Sequence, residues 1–210
     1  MHRTSKLQSI VLRAMDVGEA DRFCVLFTRE RGRLSGRAYG VRKPKSKMGG
    51  TLLPFRHIWA ECAERDAGMT IATAVDQGDL PPLPASFPLL VRLERGIELL
   101  LVLTEEDHPL PEVFDLLLEF IHCAITNGND VLPAFELRLL HLLGLLPANT
   151  DDPRFKVLPA EARKFVEACA SPLAFRTLIE RMPDMQLMQP FLRSAVEDQL
   201  SRPLKSSIEY

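Results

Sequence analysis

The hydrophobic period of this chain changes near residue 80, and that change limits the folds open to it. Before it, short β-branched and aromatic runs alternate with glycine-containing turns. After it, leucines recur at helical spacing. Between the two stands Leu80-Pro81-Pro82-Leu83-Pro84, a stiff connector in which neither period continues. A period of two and a period of 3.6 bury different faces. The chain therefore reads as an α+β protein with a β domain over 1–80 and an all-α helical domain with a C-terminal tail over 81–210.

The first part carries five strand-like runs, at 6–16, 22–28, 33–39, 55–64 and 69–75. Five short strands in about eighty residues suit a small closed or partly closed barrel, of which the OB-fold is the common form. In the third run, Leu34, Gly36 and Ala38 fall on one face and Arg33, Ser35, Arg37 and Tyr39 on the other. The second part predicts helices over 87–103, 112–126 and 130–143, the last closed by Gly144. Asn127-Gly128-Asn129 has the composition of a helix C-cap, ending the second of these. A fourth helix is expected over 160–170, and a fifth from Ser171-Pro172 to Met182. A sixth is expected over 184–200, disturbed by Pro190, followed by an irregular tail from Ser201 to Tyr210.

Charge separates the two parts as sharply as period does. The formal net charge is −2. Residues 1–80 hold fourteen Lys/Arg against nine Asp/Glu, a balance of +5, and the remainder is at −7. The basic excess concentrates in Arg29–Gly50, with eight cations and one acid, Glu30. Such a field answers a polyanion. No long apolar helix accompanies it, so nucleic acid is favoured over an anionic membrane. The candidate surface is Arg33, Arg37 and Tyr39 on the third strand with Arg42, Lys43, Lys45 and Lys47 on the loop that follows. Arg13, Arg29, Arg31 and Arg56 extend the field. Tyr39 is open to either role, core or stacking on a base. Phe55 and Trp59 are expected in the core.

Cys24, Cys62, Cys123 and Cys169 lie far apart and without metal-ligand spacing, as expected of buried thiols in a reducing cytoplasm. The N-terminal residues lack the apolar core of a signal peptide, and no apolar run reaches membrane-spanning length, so a soluble protein is expected. There is no phosphate-binding glycine loop ending in Lys-Ser/Thr, no nucleophile elbow and no His-Glu-x-x-His. Glu105-Glu106-Asp107 reads as a solvated helix terminus. No catalytic residue, metal or cofactor is expected. Binding without bond chemistry is favoured over an enzyme.

An ordered set of short motifs runs through both parts. It includes Val17-Gly18-Glu19-Ala20-Asp21, Phe27-Thr28-Arg29-Glu30-Arg31-Gly32-Arg33 and Ala38-Tyr39-Gly40-Val41-Arg42-Lys43-Pro44-Lys45-Ser46-Lys47. Leu52-Leu53-Pro54-Phe55, Phe135-Glu136-Leu137-Arg138-Leu139-Leu140, Leu143-Gly144-Leu145-Leu146-Pro147 and Arg202-Pro203-Leu204-Lys205-Ser206 follow in order. The set resembles the RecO family of bacterial recombination mediators. The resemblance implies an N-terminal OB-fold, a helical C-terminal domain, and action in DNA repair at the nucleoid. It also implies binding of single- and double-stranded DNA, annealing of complementary strands, and loading of the RecA recombinase with RecR. Family members bind the acidic tail of single-stranded-DNA-binding protein as well.

Two departures stand out. Many relatives carry a four-cysteine zinc site where this chain reads Ala148-Asn149-Thr150-Asp151-Asp152-Pro153, without cysteine until Cys169, so no zinc is expected. Basic residues that precede Phe-Glu-Leu in some relatives are replaced here by Leu132-Pro133-Ala134. Arg138 is the candidate partner-binding residue, as a clamp for a carboxylate, the alternative being an internal pair with Glu136, Glu112 or another acid. The rival function is an OB-fold protein acting on RNA in ribosome assembly.

Overall fold

A computed structural model describes residues 4–65, 68–127, 130–146 and 152–199. By its contacts the chain divides into two compact units. The first comprises residues 1–81 and 104–118, the second residues 82–103 and 119–210.

The first unit is built on five strands: β1 (Thr4–Val17), β2 (Asp21–Thr28), β3 (Gly32–Ala38), β4 (His57–Arg65) and β5 (Gly68–Asp76). They close into a barrel in the order β1-β2-β3-β5-β4, with β4 returning to β1. All pairs are antiparallel except β3 with β5, which meet in parallel at Arg37 and Thr70. This is the OB-type barrel expected from the strand spacing. Alternation fixes which side chains face inward. Val11, Cys24, Leu26, Leu34, Ala38, Ile58, Ala60, Cys62 and Ile71 fill the interior. Val41 and Leu52, from the loop between β3 and β4, join this core.

Phe55 is buried as expected, at a positive φ of 64°. Trp59 is not in the core. It stands half-buried on the outer face of β4, between inward-facing Ile58 and Ala60. Strand parity decides this: two buried aliphatic neighbours leave only the solvent side for the indole.

The segment 104–110 stays largely exposed, as expected of Glu105-Glu106-Asp107, and is also docked on the barrel. The N–H of Asp107 donates to the Arg33 carbonyl at 2.9 Å, and Glu106 bridges Arg33 in parallel. The Ser35 hydroxyl donates to Glu106 at 2.8 Å, and Arg31 grips both oxygens of Asp107 at 2.6 Å. The β3–β5 pairing is a single residue pair, which leaves β3 edge groups in need of partners, and the segment supplies one at the Arg33 carbonyl.

The second unit holds α1 (Phe87–Leu103) and the later part of α2 (Pro111–Asn127), whose first turns belong to the barrel unit. It continues through α3 (Leu132–Leu142), α4 (Pro153–Lys156), α5 (Ala160–Cys169), α6 (Phe175–Glu180) and α7 (Gln189–Glu197). Gly96 on α1 faces the Phe120 ring, where a β-carbon would lie 2.7 Å from a ring carbon. Phe120 in turn stacks on Phe135 with centroids 4.2 Å apart. Glu136, fully buried, is answered by Arg95 at 3.3 Å. Gly144, at φ +71°, closes α3: its N–H donates to the His141 carbonyl and that of Leu145 to Leu140. These two bonds are the Schellman pattern, and they satisfy carbonyls the helix cannot.

Two helix expectations change, and one helix is added. Ser171 ends α5 instead of opening the next helix, because its N–H and its hydroxyl both donate to the Ala168 carbonyl. The next helix starts at Phe175. Pro190 sits in the first turn of α7, where its missing N–H costs nothing, and a 3-10 turn over Met185–Leu187 precedes it. α4 is a single turn capped by Asp152, too short to show a period. The Gly128-Asn129 part of the C-cap expectation, the polar stretch Asn149–Asp151 and the tail from Leu200 to Tyr210 lie outside the described residues.

Candidate nucleic-acid interface

The stretch Arg42–Gly50 reads from its sequence as a flexible basic loop, and it lies within the connection between β3 and β4. The backbone of that connection is instead tied to the barrel by two charged side chains. Arg22 donates through Nη1 to the carbonyls of Gly49 (3.2 Å) and Leu52 (2.9 Å) and through Nε to Asp16. Asp21 accepts the Gly40 N–H at 2.8 Å and the guanidinium of Arg37 at 2.8 Å. The Gly40 N–H foremost, with Arg37 and Lys43, holds the Asp21 carboxyl below the usual aspartate value of 3.8. Val41 and Leu52 plug the core on either side of the lysines.

On this anchored frame the candidate cations fall into two groups. Lys43, Lys45 and Lys47 are exposed and form no ion pair among the described residues. They line an open groove of about 610 Å³ together with Tyr39, Ser46 and Met48 on one side and Ala72, Thr73 and Val75 of β5 on the other. Tyr39 is 54 % exposed, which settles it outside the core, with Arg37 over its ring at 5.1 Å.

The arginines are tied up. Arg37 is paired with Asp21. Arg42 spans Asp16 (3.3 Å) and the Gly18 carbonyl (3.3 Å) while remaining at the surface. Arg33 lies half-buried on the outer face of β3, beneath the bridge to Glu106. Among the cations that extend the field, Arg29 is paired with both oxygens of Asp115, Arg31 with Asp107 and Glu64, and Arg56 with Asp76. Position in the sequence does not separate these groups, because their acids lie up to 86 residues away.

Arg138, on α3, donates through Nη1 to the Ser171 carbonyl (2.7 Å) and through Nη2 to that of Leu173 (2.8 Å). It ties α3 to the turn before α6, and its desolvation lowers its pKa. Neither Glu136, paired with Arg95, nor Glu112 is its hydrogen-bond partner.

Groups of three or more His, Cys, Asp or Glu able to hold a metal do not occur among the described residues. No described helix is long and apolar enough to cross a membrane.

The groove, its lysines and the barrel beneath them fall within a stretch that matches a family model. Residues 1–75 match the model for the N-terminal part of recombination protein O, and residues 93–170 the model for its C-terminal part. Similar curated proteins include the DNA repair protein RecO of Anaeromyxobacter sp. (strain Fw109-5), 36% identical over 151 residues, covering 68% of this chain and 57% of the relative. That of Salinibacter ruber is 30% identical over 148 residues, covering 68% and 57%. That of Myxococcus xanthus is 32% identical over 166 residues, covering 76% and 67%. With several of these relatives the match spans little more than half of the relative's length. Two family models in the family's order, on a closed five-stranded barrel and a helical unit, lead to one assignment: the chain belongs to the RecO family of DNA repair proteins.

Proposed function

We propose that the chain is a non-enzymatic recombination mediator that binds single- and double-stranded DNA through the lysine groove and anneals complementary strands. The observation that carries this reading is the trio Lys43, Lys45 and Lys47, exposed and without ion pairs among the described residues, on a loop whose backbone is held by Arg22 and Asp21. Each ammonium can neutralise a phosphate and release counterions, giving affinity with little base preference. Tyr39 offers a ring at the same groove for an unstacked base. Annealing then needs no bond chemistry. A cationic surface that holds two strands screens their repulsion and raises their effective concentration.

In the same reading the chain cooperates with RecR in loading RecA recombinase onto DNA. Family membership supports these partners, as it supports DNA over ribosomal RNA as the target. A carboxylate of an acidic protein tail would have to displace two backbone carbonyls to reach the terminal nitrogens of Arg138.

The test is annealing of two complementary labelled oligonucleotides by the purified chain, without nucleotide or added metal. The expected result is annealing that weakens with salt and falls at least tenfold when Lys43, Lys45 and Lys47 are replaced by alanine. A folded wild type that does not anneal would overturn the function. Undiminished annealing by the triple variant would overturn the site.

A further inference from the structure

The outer face of the β2–β3 hairpin, where an OB barrel ordinarily receives its ligand, is occupied in this chain. Asp107 and Glu106 sit on Arg33, Ser35 and Arg31, so a polyanion laid there would meet carboxylates. The lysine groove opens the other way, onto β5. Val75 lines it and is 61 % exposed. Across the next ladder Val75 is paired with Trp59 of β4. Trp59 faces outward, and on its far side Lys6 of β1 holds its ammonium 4.9 Å from the ring centroid. Strands lie about 4.8 Å apart, so groove, valine, indole and ammonium form one unbroken track over three neighbouring strands.

Resting on the reading of the barrel unit as a DNA binder, we propose that a single strand leaves the lysine groove across β5 and β4, with a base packed on Trp59 and Val75 and a phosphate at Lys6. The chemistry favours a single strand over a duplex. The indole and the valine present an apolar surface that only an unstacked base can cover. Lys6, now engaged with the π face, trades that contact for a full anionic charge. Glu61, two residues along β4 on the same face and bonded by the Thr73 hydroxyl at 3.0 Å, marks the side that the phosphates avoid.

Trp59 is the sole tryptophan of the chain, so emission excited beyond the absorption of Tyr39 and Tyr210 reports this place alone. Unlabelled oligo(dT) is titrated into the full chain while tryptophan emission is followed, and the anisotropy of a labelled copy is measured in parallel. The expected result is a change in emission that tracks the anisotropy isotherm. Trp59→Ala is expected to weaken single-strand binding roughly tenfold and duplex binding far less. Trp59→Phe, which keeps a ring, stays within about threefold of wild type and separates lost stacking from lost folding. Binding by anisotropy with unchanged emission and an unaffected Trp59→Ala variant would overturn the track while leaving the groove in place. Absence of any binding by anisotropy would overturn both.

Discussion

A β-carbon placed on Gly32 would lie 1.8 Å from the carbonyl oxygen of His108. Gly32 also holds φ at +69°, a conformation that costs any L side chain strain. The turn between β2 and β3 and the acidic segment from the other end of the unit are thus fitted to each other at a backbone that only glycine permits. Gly32→Ala must move the segment or the turn. The expected loss is about 2–4 kcal/mol, read by urea denaturation. A variant as stable as wild type would mean that the segment is only loosely laid on the barrel.

The Arg31–Asp107 pair fastens the same segment. Its two hydrogen bonds are both 2.6 Å, but Arg31 keeps 26% of its side-chain exposure and Asp107 54%, so solvent screens much of the attraction. A double-mutant cycle with Arg31→Ala and Asp107→Ala is expected to give a coupling of about 0.5–1 kcal/mol. Single-strand affinity should change less than threefold in Arg31→Ala, since this guanidinium answers acids of its own chain.

Asp21 predicts an acid limit to stability. Its folded-state value is lowered, first by the Gly40 N–H and then by Arg37, against the opposing effect of burial. A lowered carboxylate adds stability above its unfolded value of 3.8, and that contribution is lost as pH falls through the folded value. Stability of the wild type should therefore decline below about pH 4. Asp21→Asn should be less stable at neutral pH and show a shallower decline. Asp152, lowered by Arg154, preserves part of the slope in that variant. Denaturant melts from pH 6 to pH 2.5 measure both.

All four cysteines are buried thiols. Burial pushes Cys24 and Cys62 up to about 11 and Cys169 up to about 12, and raises Cys123 as well. Thiolate, the reactive form, is scarce at pH 8. A thiol reagent should label fewer than one cysteine per chain under native conditions and four after denaturation. Rapid native labelling at one position would show that its surroundings open.

The barrel was legible in the sequence because its strands alternate cleanly. Leu34, Gly36 and Ala38 against Arg33, Ser35 and Arg37 is the register the structure shows. The long helices were legible for the same reason at a period of 3.6. Residue type and parity disagree at Trp59: an aromatic in a short strand suggests core, whereas the alternation with Ile58 and Ala60 puts it outside. The start of the helix after Ser171-Pro172 is not legible, because a serine that caps one helix and a serine that ends the previous one look alike in sequence. Among the candidate cations, net charge revealed the field but not its division. Lys43, Lys45 and Lys47 differ from Arg29 and Arg31 only through Asp115, Asp107 and Glu64, which the fold brings together from far along the chain.

The central claim is that three lysines on an anchored loop hold the DNA backbone. The salt dependence of oligo(dT) binding tests it most directly. Log affinity is measured against log salt for the wild type and for the chain with Lys43, Lys45 and Lys47 replaced by alanine. Three lost phosphate contacts should reduce the slope by roughly 2, with denaturation midpoints unchanged. An unaltered slope in a folded triple variant would contradict the claim, and would place the DNA on cations other than these.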